Sequence, residues 1–171
     1  MTTLSHGTRV LIVRAFTLIE ILVVIGMIAV IASIVLVAIN PLRQFAQARN
    51  AQRASDVNAI LNSIGERIAD NKGVFMDTGS CTATLPTSAT VIKKSGGFDL
   101  RSCLVPAYIS ELPMDPSTGS NSCGTDTACA SGSYDTKYTV MQDATSGRIT
   151  VCAPGAQESA ISGSVSFCLT R

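Results

Sequence analysis

The feature that most constrains this chain is a charge-free apolar run near its N-terminus. The 19 residues from Ile21 to Ile39 contain no Asp, Glu, Lys, Arg or His. A helix needs about 20 apolar residues to cross the hydrocarbon core of a bilayer, so the run predicts a membrane-spanning helix. This run also accounts for a mean hydropathy of +0.35, which is high for a soluble domain. The remainder of the 171-residue chain has room for one domain of about 100 residues.

Charge and cysteine content exclude several classes of protein. The 13 Lys and Arg against 12 Asp and Glu give a net charge of +1, which excludes a strongly basic nucleic-acid binder. The only histidine, His6, precedes the apolar run, so histidine-based catalysis in the following domain is excluded. All six cysteines follow the run and form no CxxC pair, a pattern that favours disulfides in an oxidising compartment over a zinc site.

Four segments follow one another along the chain. Residues 1–15 are short, basic and free of acid, and they read as a leader peptide. Residues 16–40 form the predicted transmembrane helix, and residues 41–73 an amphipathic helix that continues it after an interruption at Asn40-Pro41. Residues 74–171 form a disulfide-containing head. The expected fold class is therefore α+β, with a long N-terminal helix whose second half packs on a small antiparallel sheet.

The amphipathic helix carries an apolar stripe at helical spacing and ends at Gly73, a residue suited to a left-handed cap. The stripe consists of Val57, Ile60, Leu61, Ile64 and Ile68. It predicts packing against the head's own sheet. Arg49 and Arg53 lie four residues apart on one face, and we expect that face to be solvated or to contact another subunit.

The head contains four strand signals and one long loop. Residues 137–141 and 148–152 alternate around a glycine-containing turn, which predicts a β-hairpin. Further strands are predicted at 90–92 and 164–169, and a brief helix near 99–104. Residues 117–133 are rich in Ser, Thr and Gly and read as a loop.

Residues 14–25, with the sequence RAFTLIEILVVI, resemble the class III signal of type IV pilins and type II secretion pseudopilins. In that signal a small residue precedes Phe-Thr-Leu-Ile-Glu and an apolar helix. The likeness is specific, because an unpaired glutamate within a membrane helix costs several kcal/mol. The stretch from Leu112 to Pro116, Leu-Pro-x-Asp-Pro, is also similar to major pseudopilins.

The resemblance implies a prepilin that is processed and then assembled. Ala15 and Phe16 would flank the cut made by a prepilin peptidase, and Phe16 would become the N-methylated first residue of the mature chain. Glu20 would pair with the amino terminus of a neighbouring subunit in the filament. The alternative for Glu20 is an interfacial charge near the end of a membrane helix.

The implied protein is a structural subunit, not an enzyme, of a type IV pilus (fimbrium) or a pilus-like secretion filament. Its partners would be further copies in a homo-oligomeric filament, other pilins, an inner-membrane assembly platform and membrane lipid, with no nucleic acid. It would be a single-pass inner-membrane protein with an extracytoplasmic head, and an extracellular or periplasmic filament after assembly. Major and minor subunits both fit. The runner-up is a membrane-anchored extracytoplasmic binding module that does not polymerise.

No cofactor is expected, and calcium is the one alternative. Asp115, Asp126 and Asp135 lie around the Ser/Gly-rich loop and carry the hard oxygen ligands that Ca²⁺ prefers. Their spacing does not match an EF-hand, so solvated turn aspartates are the default interpretation.

Six cysteines allow 15 disulfide connectivities, and the sequence alone does not choose among them. Spacing favours one set. A bond between Cys123 and Cys129 would close a short Gly/Thr-rich segment, and one between Cys152 and Cys168 would join neighbouring segments of a sheet edge. Those two bonds leave Cys81 to pair with Cys103.

Overall fold

The computed structural model describes residues 16–77, 79, 81–124, 126 and 129–171. The chain divides into two compact units, one that ends at Pro41 and one from Leu42 to Arg171. The leader expected at residues 1–15, including Ala15 and His6, lies outside the described residues. The secondary structure is α+β: an apolar N-terminal helix precedes a head built on a small antiparallel sheet.

Two helices meet at the Asn40-Pro41 step. Helix α1 spans Leu18–Ile39 and helix α2 spans Pro41–Asp70. Asn40 between them is left-handed, with φ 45° and ψ 77°, so the helix is interrupted where the proline predicted. Proline suits the first position of α2, because an N–H there would have no partner within the helix.

Helix α2 ends in a left-handed turn, close to the predicted glycine cap. Lys72 and Gly73 both have positive φ, 57° and 91°. The Gly73 amide donates to the Ile68 carbonyl at 2.8 Å, which satisfies one of the last carbonyls of the helix.

Over the described residues, the head sheet has five antiparallel strands, β1 (Thr90–Lys93), β2 (Ser120–Asn121), β3 (Tyr134–Gln142), β4 (Ile149–Ala153) and β5 (Phe167–Thr170). Their order is β1-β3-β4-β5, and β2 pairs with one end of β3. The short β2 corrects the expectation of an unbroken loop from 117 to 133. A one-turn helix α3, Arg101–Leu104, falls where a brief helix was expected.

The predicted hairpin is present between β3 and β4. The Asp143 carboxylate accepts from the amides of Thr145 and Ser146, and Gly147 adopts φ 70°. The Asp143 amide donates to the Arg148 carbonyl at 2.9 Å, which closes the turn. The alternation of the strands then places Val140 and Val151 in the core, each with no exposed surface.

The apolar stripe of α2 packs into that same core. Val57, Ile60, Leu61 and Ile64 are buried with the inner side chains of β3 and β4, and Ile68 packs at the edge of the cluster. The sequence prediction that this face covers the head's own sheet is therefore confirmed.

Three disulfides fasten the head. They join Cys81 to Cys103, Cys123 to Cys129, and Cys152 to Cys168, which are the pairs that spacing favoured. The first ties the irregular segment after α2 to α3, and the third joins β4 to β5. Closing loops of this size contributes about 2–4 kcal/mol each in the chain-entropy model, a large share of a small domain's stability.

A buried hydrogen bond joins α2 to the centre of the sheet. The Tyr138 hydroxyl donates to Asp56 Oδ2 at 2.7 Å, and Gln52 donates to the other carboxylate oxygen at 2.7 Å. Burial, reinforced by the Asp56 carboxylate, raises the pKa of the Tyr138 hydroxyl above its usual range, so it remains a donor at all ordinary pH values.

We expect Tyr138→Phe to lower the free energy of unfolding by about 1–3 kcal/mol, because Asp56 keeps its burial and loses a donor. Urea unfolding of the full chain in detergent micelles measures the change. The double variant Tyr138→Phe, Asp56→Leu removes both partners and should recover part of the loss. An unchanged free energy in the single variant would contradict the role of this bond.

Candidate functional site

Helix α1 is the candidate membrane and assembly surface. It has 22 residues, none of them buried. Among the described residues it is the one helix long and apolar enough to cross a bilayer. Each large apolar side chain left in water forfeits about 1.5–3 kcal/mol of burial energy. The helix therefore requires a covering of lipid or of other protein.

Glu20, the charged residue of α1, caps the start of its own helix. Glu20 Oε2 accepts from the Thr17 amide at 3.1 Å, and Thr17 Oγ1 accepts from the Glu20 amide at 3.3 Å. This reciprocal pair is a capping box, and the Thr17 hydroxyl also lies 3.0 Å from Glu20 Oε2. Among the described residues Glu20 Oε1 has no hydrogen-bond partner. The box was not predicted from the sequence, although Thr-x-x-Glu before an apolar run is its signature.

Of the two residues expected at the cleavage site, one lies within the described chain. Phe16 is exposed, ahead of the Thr17 cap, whereas Ala15 lies outside the described residues. Cleavage between them and methylation of Phe16 therefore stay predictions.

The three candidate calcium ligands each bind a different group of the head. Asp115 is buried against Arg53, Asp126 Oδ2 accepts from the Ala130 amide at 2.6 Å, and Asp135 Oδ2 lies 2.7 Å from Lys137 Nζ. Over residues 16–77, 79, 81–124, 126 and 129–171, no three His, Cys, Asp or Glu side chains group as metal ligands would.

Asp115 instead belongs to a buried ion-pair cluster, which we call the Arg53 cluster: Arg49, Arg53, Asp115 and Glu158. Arg53 is fully buried and binds Asp115 through two nitrogens, Nε to Oδ2 at 2.7 Å and Nη2 to Oδ1 at 3.2 Å. Arg53 Nη1 donates to Glu158 Oε1 at 2.6 Å. Arg49 binds both oxygens of Glu158 at 2.7 Å. The cluster fastens α2 to two separate loops.

This arrangement corrects the expectation of a solvated or inter-subunit face at Arg49 and Arg53. The side chain of Arg53 has no exposed surface, and that of Arg49 is 35% exposed. The expectation was wrong because a charged helix position is usually solvated, whereas here two carboxylates from distant segments enclose it.

Gly155, in the short 3-10 helix Pro154–Ala156, packs directly against Asp115 and Arg53 of the cluster. A Cβ at this position would lie 2.6 Å from Asp115 Oδ2 and 3.3 Å from the Arg53 guanidinium. Only glycine therefore allows the backbone to approach the ion pair this closely.

The ion pairs shift the acidity of both carboxylates. Burial opposes ionisation of Asp115, but hydrogen bonds from Arg53, Ser117 and Thr118 outweigh it and hold the pKa of Asp115 well below its usual range. The two arginines lower the pKa of Glu158 to about 2. Both groups are therefore charged in the folded chain at any ordinary pH.

Two further arginines are buried and hold loops in the same way. Arg67 donates to the carbonyls of Phe75 and Cys103, at 2.9 and 2.7 Å, and pairs with Asp77. Arg101 donates to the Asp126 carbonyl at 2.9 Å and pairs with Glu111. The loops of the head thus depend on guanidinium hydrogen bonds as well as on apolar contacts.

Comparison of the chain with protein-family models, with curated proteins and with solved structures finds no match in any of the three. Function therefore has to be inferred from the residues and geometry of the chain itself.

We expect Arg53→Ala to lower the free energy of unfolding by about 3–5 kcal/mol, because it leaves Asp115 buried without its counter-charge. Arg49→Ala is the matched control. It removes a partly exposed contact to the same Glu158 and should cost much less. Urea unfolding in micelles compares them, and equal losses in the two variants would contradict the proposed difference in burial.

The lowered pKa values predict acid sensitivity. The unfolded chain binds protons to Asp115 and Glu158 at higher pH than the folded chain, so their contribution is complete above about pH 4.5, the ordinary pKa of a glutamate, and is lost as pH falls towards 2. The double variant Asp115→Asn, Glu158→Gln should show a shallower loss of stability over that range. Identical pH dependence in the two proteins would refute this account.

Proposed function

We propose that the chain is a structural subunit of a type IV pilus or of a related secretion filament. The observation that carries the proposal is the start of α1. A small residue and Phe-Thr-Leu-Ile-Glu lead into a 22-residue apolar helix with no buried residue, and one carboxylate lies in its first turn. A membrane anchor requires the apolar length but not the carboxylate.

The proposed mechanism begins in the membrane. Lipid covers α1 of each stored subunit, and a prepilin peptidase cuts between Ala15 and Phe16. The new Phe16 amine is then methylated. During assembly at an inner-membrane platform, α1 exchanges lipid for the α1 helices of other subunits, so that one apolar surface serves in both environments.

Glu20 supplies the directional contact in this exchange. Its Oε2 is used by the capping box of its own helix, and Oε1 remains for a donor from outside the described chain. The positively charged terminal amine of a neighbouring subunit matches it in charge and hydrogen bonding. Pairing the two charges in the apolar filament core offsets the cost of placing either of them there.

The head stays outside the cytoplasm in this proposal. Its three disulfides suit an oxidising compartment. The proposal assigns the chain no catalytic role, cofactor or nucleic-acid partner.

The capping box favours a second candidate, a membrane-anchored extracytoplasmic binding module that never polymerises. Because the box gives Glu20 a role within its own helix, the carboxylate has a use in a plain anchor as well. In a filament subunit the charge of Glu20 is needed for assembly. In a plain anchor its side chain only has to accept the hydrogen bonds of the capping box.

Two variants separate those roles. Glu20→Gln keeps a capping-box residue and removes the charge. Thr17→Ala removes the cap, at about 1 kcal/mol of helix stability, and keeps the charge. A filament subunit should lose about tenfold or more of its surface fibres with Glu20→Gln, and also with Glu20→Leu, because the buried amine then lacks its counter-charge.

The measurement is the yield of sheared surface fibres at equal membrane levels of subunit, with Glu66→Gln on the exposed face of α2 as a control. Thr17→Ala and Glu66→Gln should both assemble normally. Normal fibres from Glu20→Gln, or loss of fibres from Thr17→Ala alone, would contradict the proposed charge pairing. A chain that forms no fibres at all would favour the non-polymerising anchor.

Processing makes a separate prediction. The mature chain should begin at an N-methylated Phe16, and removal of the leader takes away Arg9 and Arg14, leaving 11 basic against 12 acidic side chains. Intact-mass measurement on membrane-extracted protein and on fibres tests this. Fibres whose subunits still carry residues 1–15 would disprove it.

A further inference from the structure

The three disulfides differ in their exposure to solvent. The cysteines of the first two are buried, with at most 6% of their surface exposed: Cys81, Cys103, Cys123 and Cys129. In the third, Cys168 is exposed and Cys152 is only partly buried. One disulfide of the head is therefore open to reagents in solution.

The third disulfide joins residues that lie directly opposite each other on β4 and β5. Ile149 and Arg171 exchange both backbone hydrogen bonds, at 2.7 and 2.9 Å. Because antiparallel pairs alternate, Cys152 and Cys168 occupy a pair without backbone bonds, in which side chains are close. The same alternation places them on the face away from the core, next to Thr150 and Thr170, whose hydroxyls lie 2.8 Å apart.

The surroundings give an incoming group access to Cys168. Strand β5 is at the edge of the sheet and has four residues. Cys168 also lines a surface cavity of about 460 Å³, together with the segment from Gly163 to Phe167. A small thiol can therefore approach Cys168 from solvent.

We infer that Cys152–Cys168 is a thiol–disulfide exchange site of the head, which takes a dithiol reductant. The inference goes beyond the proposed function and does not depend on filament assembly. It rests on the exposure of one disulfide, its position on an edge strand and the burial of the other two.

The exchange proceeds in two balanced steps. A thiolate of the dithiol attacks Cys168 Sγ, a mixed disulfide forms, and the bond to Cys152 Sγ breaks, so that Cys152 leaves as a thiolate and takes a proton from water. The second thiolate of the dithiol then attacks its own sulfur in the mixed disulfide and releases Cys168. Two electrons pass to the protein, and the dithiol becomes a cyclic disulfide.

Opening this disulfide loosens the segment that carries Glu158, one of the four residues of the Arg53 cluster. Residues 153–167 carry Glu158, and the segment is otherwise held by contacts such as the bond from Asn50 to the Ala156 carbonyl at 3.1 Å. The core, α2 and the two buried disulfides remain in place. The exchange site therefore controls how firmly the C-terminal segment is attached to α2.

The test is graded reduction of the full chain in detergent micelles with dithiothreitol, followed by N-ethylmaleimide and peptide mapping. Cys152 and Cys168 should be alkylated about tenfold faster, or more, than the four buried cysteines. The Cys152→Ser, Cys168→Ser variant should show only the slow labelling of the four buried cysteines under the same conditions. Equal rates for all three disulfides, or faster opening of a buried one, would overturn the inference.

Glutathione, a monothiol, identifies the attacked sulfur, because it cannot cyclise and N-ethylmaleimide traps its mixed disulfide by blocking the released protein thiol. Mass spectrometry should find the adduct on Cys168, the more exposed partner. An adduct on Cys152 instead would refute the assigned direction of attack, and adducts on the buried cysteines would refute the site.

Glutamyl endopeptidase reports the opening of the segment, since Glu158 is the one glutamate between Cys152 and Cys168. Cleavage after Glu158 should rise about tenfold in the selectively reduced chain and in the unreduced double serine variant, because attack requires local opening. Cleavage after Glu66 in α2 serves as the internal control. Unchanged cleavage at Glu158 would contradict control of this segment by the disulfide.

Discussion

The placement of two loops of the head on α2 depends on Arg53, whose side chain is buried with no exposed surface. Arg53 lies on α2, and its carboxylate partners come from the Leu112–Pro116 stretch and from the loop after β4. An uncompensated charge at that position would cost several kcal/mol, so the helix and both loops have to come together. Apolar contacts tolerate sliding, whereas the directional bonds of Arg53 define one position for each loop against the helix. Gly155 belongs to the same constraint, because a side chain there would separate the pair.

Helix α1 follows a different principle. The head buries its own apolar face and pairs its buried arginines with its own carboxylates, whereas α1 leaves every residue exposed. A helix of this kind gains its stability from whatever surrounds it, which in our proposal is lipid before assembly and neighbouring helices afterwards. The head can then remain unchanged between the two states. In the same proposal, the charge of Glu20 sets the direction in which one subunit contacts the next.

Periodic and local signals predicted much of the fold. The spacing of Val57 to Ile68 identified the buried face of α2, Pro41 located the interruption, and the alternation around Gly147 predicted the β3–β4 hairpin. These features arise within a few residues, where spacing alone carries the information. The two-residue β2 was missed because so short a strand has no periodicity and exists only by pairing with β3.

The Arg53 cluster was missed for a different reason. Its partners Asp115 and Glu158 lie 62 and 105 residues from Arg53, and nothing local distinguishes a buried arginine from a solvated one. For the candidate site, the apolar run and Glu20 stood out in the sequence by length and charge. The capping box had a recognisable Thr-x-x-Glu signature, so Glu20 has a role within its own helix in addition to the one that the family resemblance implies.

The most direct test of the central claim is to isolate surface fibres by shearing, image them by electron microscopy and determine their subunits by mass spectrometry. The account predicts fibres that contain this chain, with α1 packed in the interior and the head outside. A chain found only as a monomer in the membrane fraction, under conditions in which fibres form, would contradict it.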